Sequence, residues 1–178
     1  MACSQIGYGL AEITGMSSWH DRRTTEAIML DERIEDNAIF ELHGLAEVKE
    51  RANFNITSYN GKVLLTGEAE TLTVQEKIIA NVRIIKGVKQ VHNEIVVAPL
   101  SNLKQRSGDS FLTIKVKDAL TEIENLPGFD VTRVKVVTER KVVYLMGLVH
   151  KAEALAASKK AQEVAGVQKI ITIFEYIK

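Results

Sequence analysis

The chain holds one cysteine, so no disulfide can form within it and the fold must stand on packing alone. Net charge is also missing: 23 Lys and Arg balance 23 Asp and Glu. Without a broad basic field the chain lacks the electrostatic term behind general nucleic-acid affinity, which argues against a DNA binder. Nor does any apolar run reach the roughly 18 residues needed to span a bilayer. What is there, 46% apolar and 26% charged residues over 178 positions, is the composition of a globular protein with enough apolar material for a core. The charges are unevenly spread. Residues 1–100 carry ten Lys and Arg against fourteen Asp and Glu, and residues 101–178 carry thirteen against nine. The basic second half is suited to an anionic surface, unless the asymmetry is only chance scatter over two solvated surfaces.

Chemistry of the usual kinds is absent too. No G-x-S-x-G elbow and no Cys in a nucleophile motif appear. His20, His43, His92 and His150 lie in four separate segments without metal-ligand spacing. The glycines are isolated and each serves a turn or an element end, so no phosphate-cradling loop is formed. These readings give no enzyme, no metal and no cofactor. Cys3 follows Met1 and Ala2, and a Cys near the start after a small residue is where a bacterial lipoprotein is cut and acylated. No charged and then apolar segment precedes it, so no secretory signal is carried as the sequence stands. Cys3 is therefore either a lipidation site whose signal a start Met has replaced or an incidental cysteine in a tail.

Residues 1–26 show no sustained period and read as a tether or docking arm. From Thr25 a helical pattern runs through Ile28, Ile34, Ala38, Ile39, Leu42 and Leu45. Phe54–Tyr59 alternates as a strand, Asn60-Gly61 signals a hairpin, and Lys62–Glu68 returns. Thr73–Lys86 reads as a helix with Gly87 as its cap, and Val88–Val97 as a closing strand. This order, α-β-β-α-β, then recurs. A shift of 80 positions lays Phe54–Ser58 on Val134–Thr138 and Val63–Gly67 on Val143–Gly147, and a shift of 79 lays Gly87–Val91 on Gly166–Ile170. The later helices fall at Ser110–Leu126 and Lys151–Ala165. Such a repeat reads as duplication. The expected organisation is a tail over 1–26, a first domain over 27–98, a polar linker over 99–109 and a second domain over 110–178.

The second domain opens Ser110-Phe111-Leu112-Thr113-Ile114-Lys115-Val116-Lys117, with Arg133 and Lys135 on the next strand. An aromatic ring beside lysines suits the boundary between water and acyl chains on an anionic membrane. The competing reading makes Phe111 a core anchor and the lysines a solvated edge.

The two strand-turn-strand segments ending in glycine, Asn55–Gly67 and Val136–Gly147, together with the later Gly-Val before each last strand, resemble the BON domain. Two in tandem after a short tail with an early Cys resemble the dual-BON outer-membrane lipoproteins, over about Asp21 to Lys178. The resemblance implies an α+β fold of two domains, each with two helices on a small three-stranded mixed sheet. It implies a non-catalytic protein on the periplasmic face of the Gram-negative outer membrane, lipid-anchored if Cys3 is acylated, and supporting envelope integrity. It also implies binding of anionic phospholipid, phosphatidylglycerol or cardiolipin, by the second domain. The contact residues expected are Phe111, Leu112, Ile114, Lys115, Lys117, Arg133 and Lys135, with Phe111 where family members often have tryptophan. Ser4 after Cys3 fits outer-membrane sorting. The alternative function is a protein-interaction scaffold for envelope assembly or cell-division factors, docking through a strand edge or helix face.

Overall fold

The computed structural model describes residues 21–101, 103–124 and 126–178. The first module runs α1 (Thr25–His43), α2 (Ala46–Arg51), β1 (Ala52–Tyr59), β2 (Lys62–Ala69), α3 (Leu72–Arg83) and β3 (Gln90–Val97). The second runs α4 (Leu103–Thr121), a 3-10 turn at Val131–Arg133, β4 (Val134–Glu139), β5 (Val142–Val149), α5 (Lys151–Gln162) and β6 (Lys169–Tyr176). Each sheet has three strands with the second in the middle, antiparallel to the first and parallel to the third. The duplicated α+β fold expected from the sequence is the fold observed.

The helices begin where local chemistry lets them. Thr24 and Thr71 accept the Ala27 and Val74 amides at 3.2 and 3.3 Å, satisfying donors that a first turn leaves open. The Glu153 carboxylate reaches back to the His150 amide at 2.7 Å and holds the start of α5. Three elements differ from the sequence reading. Helix α3 stops at Arg83, and Gly87, at φ 100°, lies in the turn beyond it rather than capping the helix. The stretch expected as a linker is helical from Leu103 onward, since Lys104, Gln105 and Arg106 favour helix and nothing before Gly108 interrupts it. The short α2 has no counterpart in the expectation, because six residues give periodicity too little length to show.

Each sheet buries both faces. Val63, Leu65 and Ala69 of β2 join Ile34, Ala38 and Leu42 of α1 and Val74, Ile78 and Val82 of α3 in the first core. Val143, Leu145 and Val149 of β5 do the same beneath Leu112, Val116 and Leu120 of α4 and Ala154, Ala157 and Ala161 of α5. The opposite sheet faces meet each other. Tyr59, Leu64, Tyr144, Met146 and Ile173 form a third buried cluster shared by the modules. The result is four layers, helices outside and two sheets inside, which explains why β5 is a nearly unbroken apolar run, while β2 carries a buried Glu68 that Arg140 and Ser101 satisfy.

Polar contacts fix this joint. The Tyr59 hydroxyl accepts the Leu148 amide at 3.3 Å, Asn55 donates to Glu139 at 3.1 Å, and Lys135 pairs with Glu35 at 3.0 Å. The segment ahead of α1 adds a clamp. Arg22 pairs with Glu153, while Arg23 pairs with Asp21 and Asp31 and lies 3.9 Å from the centre of the Tyr59 ring. Residues 21–24, the end of the segment read as a tether or docking arm, are thus bound to both modules.

Candidate functional site

Helix α4 turns Asp109, Leu112, Val116 and Leu120 inward and Phe111, Ile114, Lys115 and Lys117 outward. That division follows from a 3.6-residue period with apolar side chains three and four apart. Phe111 is 59% exposed and Ile114 63% exposed, so the ring is no core anchor. The Lys115 ammonium lies 4.8 Å from the ring centre, a distance at which a cation is attracted to the π face.

Not every expected contact residue belongs to this surface. Leu112, 6% exposed, is a core residue, as its position on the inward face of the helix dictates. Arg133 pairs with Glu153 at 3.3 Å, and Lys135 spans the joint to Glu35. Arg133, in the 3-10 turn ahead of β4, neutralises the buried Glu153 of α5, and Lys135, on β4, reaches the half-buried Glu35 across the joint, pairings the sequence alone did not reveal. The burial of Glu153 raises its proton affinity, but hydrogen bonds from Arg22 and the His150 amide, with the charges of Arg22 and Arg133, outweigh this and leave its pKa below the ordinary value. Cys3, the expected lipidation position, lies outside the described residues.

A residue the sequence reading missed replaces them. Beside Phe111 runs an open apolar groove of about 400 Å³, lined by Gly108, Phe111, Leu112, Lys115, Lys141 and Gly166. Lys141 sits at its rim because the turn between β4 and β5 is held against α4. Both Asp109 carboxylate oxygens take backbone amides there, those of Arg140 and Lys141 at 2.8 and 2.9 Å. In the first module Asp31 does the same for Asn60 and Gly61, at 2.6 and 2.8 Å, and also accepts the Ser58 hydroxyl. The two aspartates stand 78 positions apart, the shift that also lays Ile34, Ala38 and Leu42 on Leu112, Val116 and Leu120, and the strand shifts of 79 and 80 do not pair them.

The groove is what distinguishes the copies. Leu30 of α1 stands where α4 has Gly108, and it packs so close to Gly87 that a Cβ there would lie 2.8 Å from its methyl. In the second module a Cβ on Gly108 would meet nothing within 4 Å, and one on Gly166 would touch Leu112 only at 3.5 Å. The space that a leucine fills in the first copy is open in the second.

Elsewhere at the joint Glu139 lies buried, facing Glu68 and Asp109. Burial first, then those two charges, raise its pKa, and the hydrogen bond from Asn55 only partly offsets them. Among the described residues no group of three or more His, Cys, Asp or Glu is arranged to hold a metal ion. No described helix is long and apolar enough to cross a membrane.

Comparison with known proteins bears directly on this duplicated architecture: the BON domain family model matches residues 31–99 and again 109–177. The chain belongs to the BON-domain family. Its two BON domains are 34% identical over 157 residues to the outer membrane lipoprotein DolP of Haemophilus influenzae, covering 88% of this chain and 80% of that protein. They are equally 34% identical over 158 residues to a 21 kDa hemolysin of Actinobacillus pleuropneumoniae, covering 89% and 80%. Among solved structures the C-terminal domain of CdsD, a structural protein of the type III secretion system of Chlamydia trachomatis, covers 83% of this chain and 67% of its own at 13% identity, with a TM-score of only 0.32. The family model and the two curated relatives carry no name of an enzyme.

Proposed function

We propose that the protein is a non-catalytic envelope protein that binds anionic phospholipid through the outward face of α4 in its second BON domain. The observation that carries this is the open groove flanked by exposed Phe111 and Ile114 and by Lys115 and Lys141, in a module whose twin has the same space filled by Leu30. An apolar wedge inserts at the acyl boundary while ammonium groups meet the phosphates above it, and each part weakens without the other. The lipid surface is phosphatidylglycerol or cardiolipin, and Lys117 extends the basic flank. Asp118, exposed on the same side, is an adverse charge, and the exposed Glu122 one turn on is paired with Lys160.

The similarity to an outer membrane lipoprotein supports placement on the periplasmic face of that membrane, with Cys3 as the anchoring position. The chain between Cys3 and the clamp at Asp21 would span at most about 60 Å when extended. That is ample for α4 to reach the bilayer.

The test is flotation of the full chain with vesicles. Binding should be tighter to phosphatidylglycerol or cardiolipin than to phosphatidylcholine and should weaken with added salt. Phe111→Asp should abolish most of that binding and leave the thermal midpoint nearly unchanged, because the ring is exposed. Equal binding to charged and zwitterionic vesicles would overturn the proposal.

A further inference from the structure

The other side of the second module holds a second groove, far along the chain from α4, between helix α5 and strand β6. It measures about 400 Å³ and is walled by Ala154, Leu155, Ser158, Thr172, Phe174 and Tyr176. Leu155 is 73% exposed and Tyr176 57% exposed, so its rim presents apolar surface to solvent. Among the described residues strand β6 lies at the end of its sheet and pairs with β5 alone, so its outer edge has no partner strand, although its Phe174 carbonyl accepts from Lys62 at 3.5 Å.

The duplication again shows what is unusual. The spacing of 79 pairs Ala154 with Gln75, Ser158 with Ile79 and Phe174 with Ile95. In the first module the Gln75 amide donates to the Ile95 carbonyl, and Ile79 packs onto the core, so helix and strand are bridged. The second module puts two small residues at those positions and leaves the channel open.

Charge selects the occupant. Exposed Lys151 and Lys159 stand on α5 and exposed Lys169 opens β6. The acids on these elements are spent elsewhere or face away. Glu153 is held by Arg22 and Arg133, and Glu175 turns to Lys62 and Asn60. An acyl chain would fill the apolar floor yet leave the strand edge without hydrogen bonds. An added strand satisfies both.

We propose that this groove is a docking site for an extended, acidic segment of a partner protein, added as a further strand along β6 with alternate apolar side chains directed into the groove. The site is independent of the lipid surface on α4. The same module can hold a membrane with one helix and a protein with the other.

The probe is a synthetic peptide, Asp-Glu-Val-Thr-Val-Thr-Val-Asp-Glu, titrated into the isotope-labelled full chain and followed by amide NMR shifts and by calorimetry. Shifts should concentrate on Thr172–Tyr176 and α5. Ser158→Ile, which restores the residue type of the first module, should weaken binding by about tenfold or more while keeping the spectrum of a folded protein. Ala154→Gln is a second variant with the same expectation, and Phe111→Asp should leave peptide binding intact. Four results would overturn the proposal: no binding, equal binding of a peptide with Lys in place of its acids, unchanged binding in both groove-filling variants, or a concentration-dependent dimer of the free chain seated on β6. Groove shifts with phosphatidylglycerol vesicles and none with peptide would reassign the groove to lipid. Loss of vesicle flotation with intact peptide binding would remove the α4 reading and leave this one standing.

Discussion

At the scale of single residues, the most informative pair is Asp31 and Asp109. Each sits in the helix that opens its module and takes two backbone amides of a hairpin turn, so one side chain ties helix to sheet. In the second module the turn residues Arg140 and Lys141 both hold positive φ, 51° and 63°, without being glycine. The amide bonds to Asp109 hold that turn. Asp109→Ala should therefore destabilise the protein by about 2 kcal/mol, the loss of two part-buried hydrogen bonds to a charged acceptor, and urea denaturation would measure it. Glu139 behaves oppositely. Its pKa is raised by burial and by Glu68 and Asp109, so its ionised form favours unfolding. The stability it allows is fully present below the ordinary carboxylate value of about 4.3 and is lost as pH rises through the folded value. Glu139→Gln keeps an oxygen for Asn55. It should raise the thermal midpoint at neutral pH, and the gain should vanish in acid. Asp31 opposes this trend: burial raises its pKa, but Ser58, Gly61, Asn60 and Arg23 together bring it below the ordinary value, so its contribution is lost on acidification.

At the scale of elements, α1 and α4 show how one helix changes use after duplication. Both bury the same stripe, Ile34, Ala38 and Leu42 in one and Leu112, Val116 and Leu120 in the other. They differ at the position of Leu30 and Gly108, where one fills a groove and the other opens it. Gly108→Leu should stabilise α4 by up to about 1 kcal/mol, because glycine is a poor helix former. The same change should reduce vesicle binding by occupying the groove. A thermal melt and a flotation assay on the one variant check both halves, and unchanged flotation would count against the groove as the lipid site. The stripe of α1 was legible in the sequence because a 3.6-residue period with Leu, Ile and Val needs no tertiary information. That of α4 was not, since the apolar residues read there begin with Phe111 and Ile114, which face solvent, while Leu112 and Val116 take the inward face beside Leu120. The hairpin at Asn60-Gly61 was legible for its residue types, whereas Arg140-Lys141 was marked only by the repeat. Lys141 escaped notice because a residue in a turn gains its place from what the turn is tied to.

For the whole molecule, the shared cluster of Tyr59, Leu64, Tyr144, Met146 and Ile173 makes two domains one folding unit. Calorimetry should show a single unfolding transition. Leu64→Asp places a carboxylate in that cluster and should split the transition in two and increase the radius of gyration in solution scattering, as the sheets part. The clamp at Arg22 and Arg23 would carry tension from an anchored Cys3 to both modules at once, since it grips Glu153 on one side and Asp31 on the other.

By itself the sequence determined the duplication, the main element order and the buried stripes of α1, α3 and α5, because periodicity and residue repeats are local properties of the chain. It also determined that Phe111 opens the second module beside Lys115. Tertiary structure decided which residues of that neighbourhood reach solvent. Leu112 went to the core, Arg133 and Lys135 were drawn into ion pairs by carboxylates distant in sequence, and Lys141 was brought to the groove by Asp109. The physical reason is that buried and half-buried charges must find partners on other elements. Lys135 meets Glu35 across the joint, whereas Arg133 and Lys141 are placed by Glu153 and Asp109 within their own module, and the periodicity of one element does not show which element it meets.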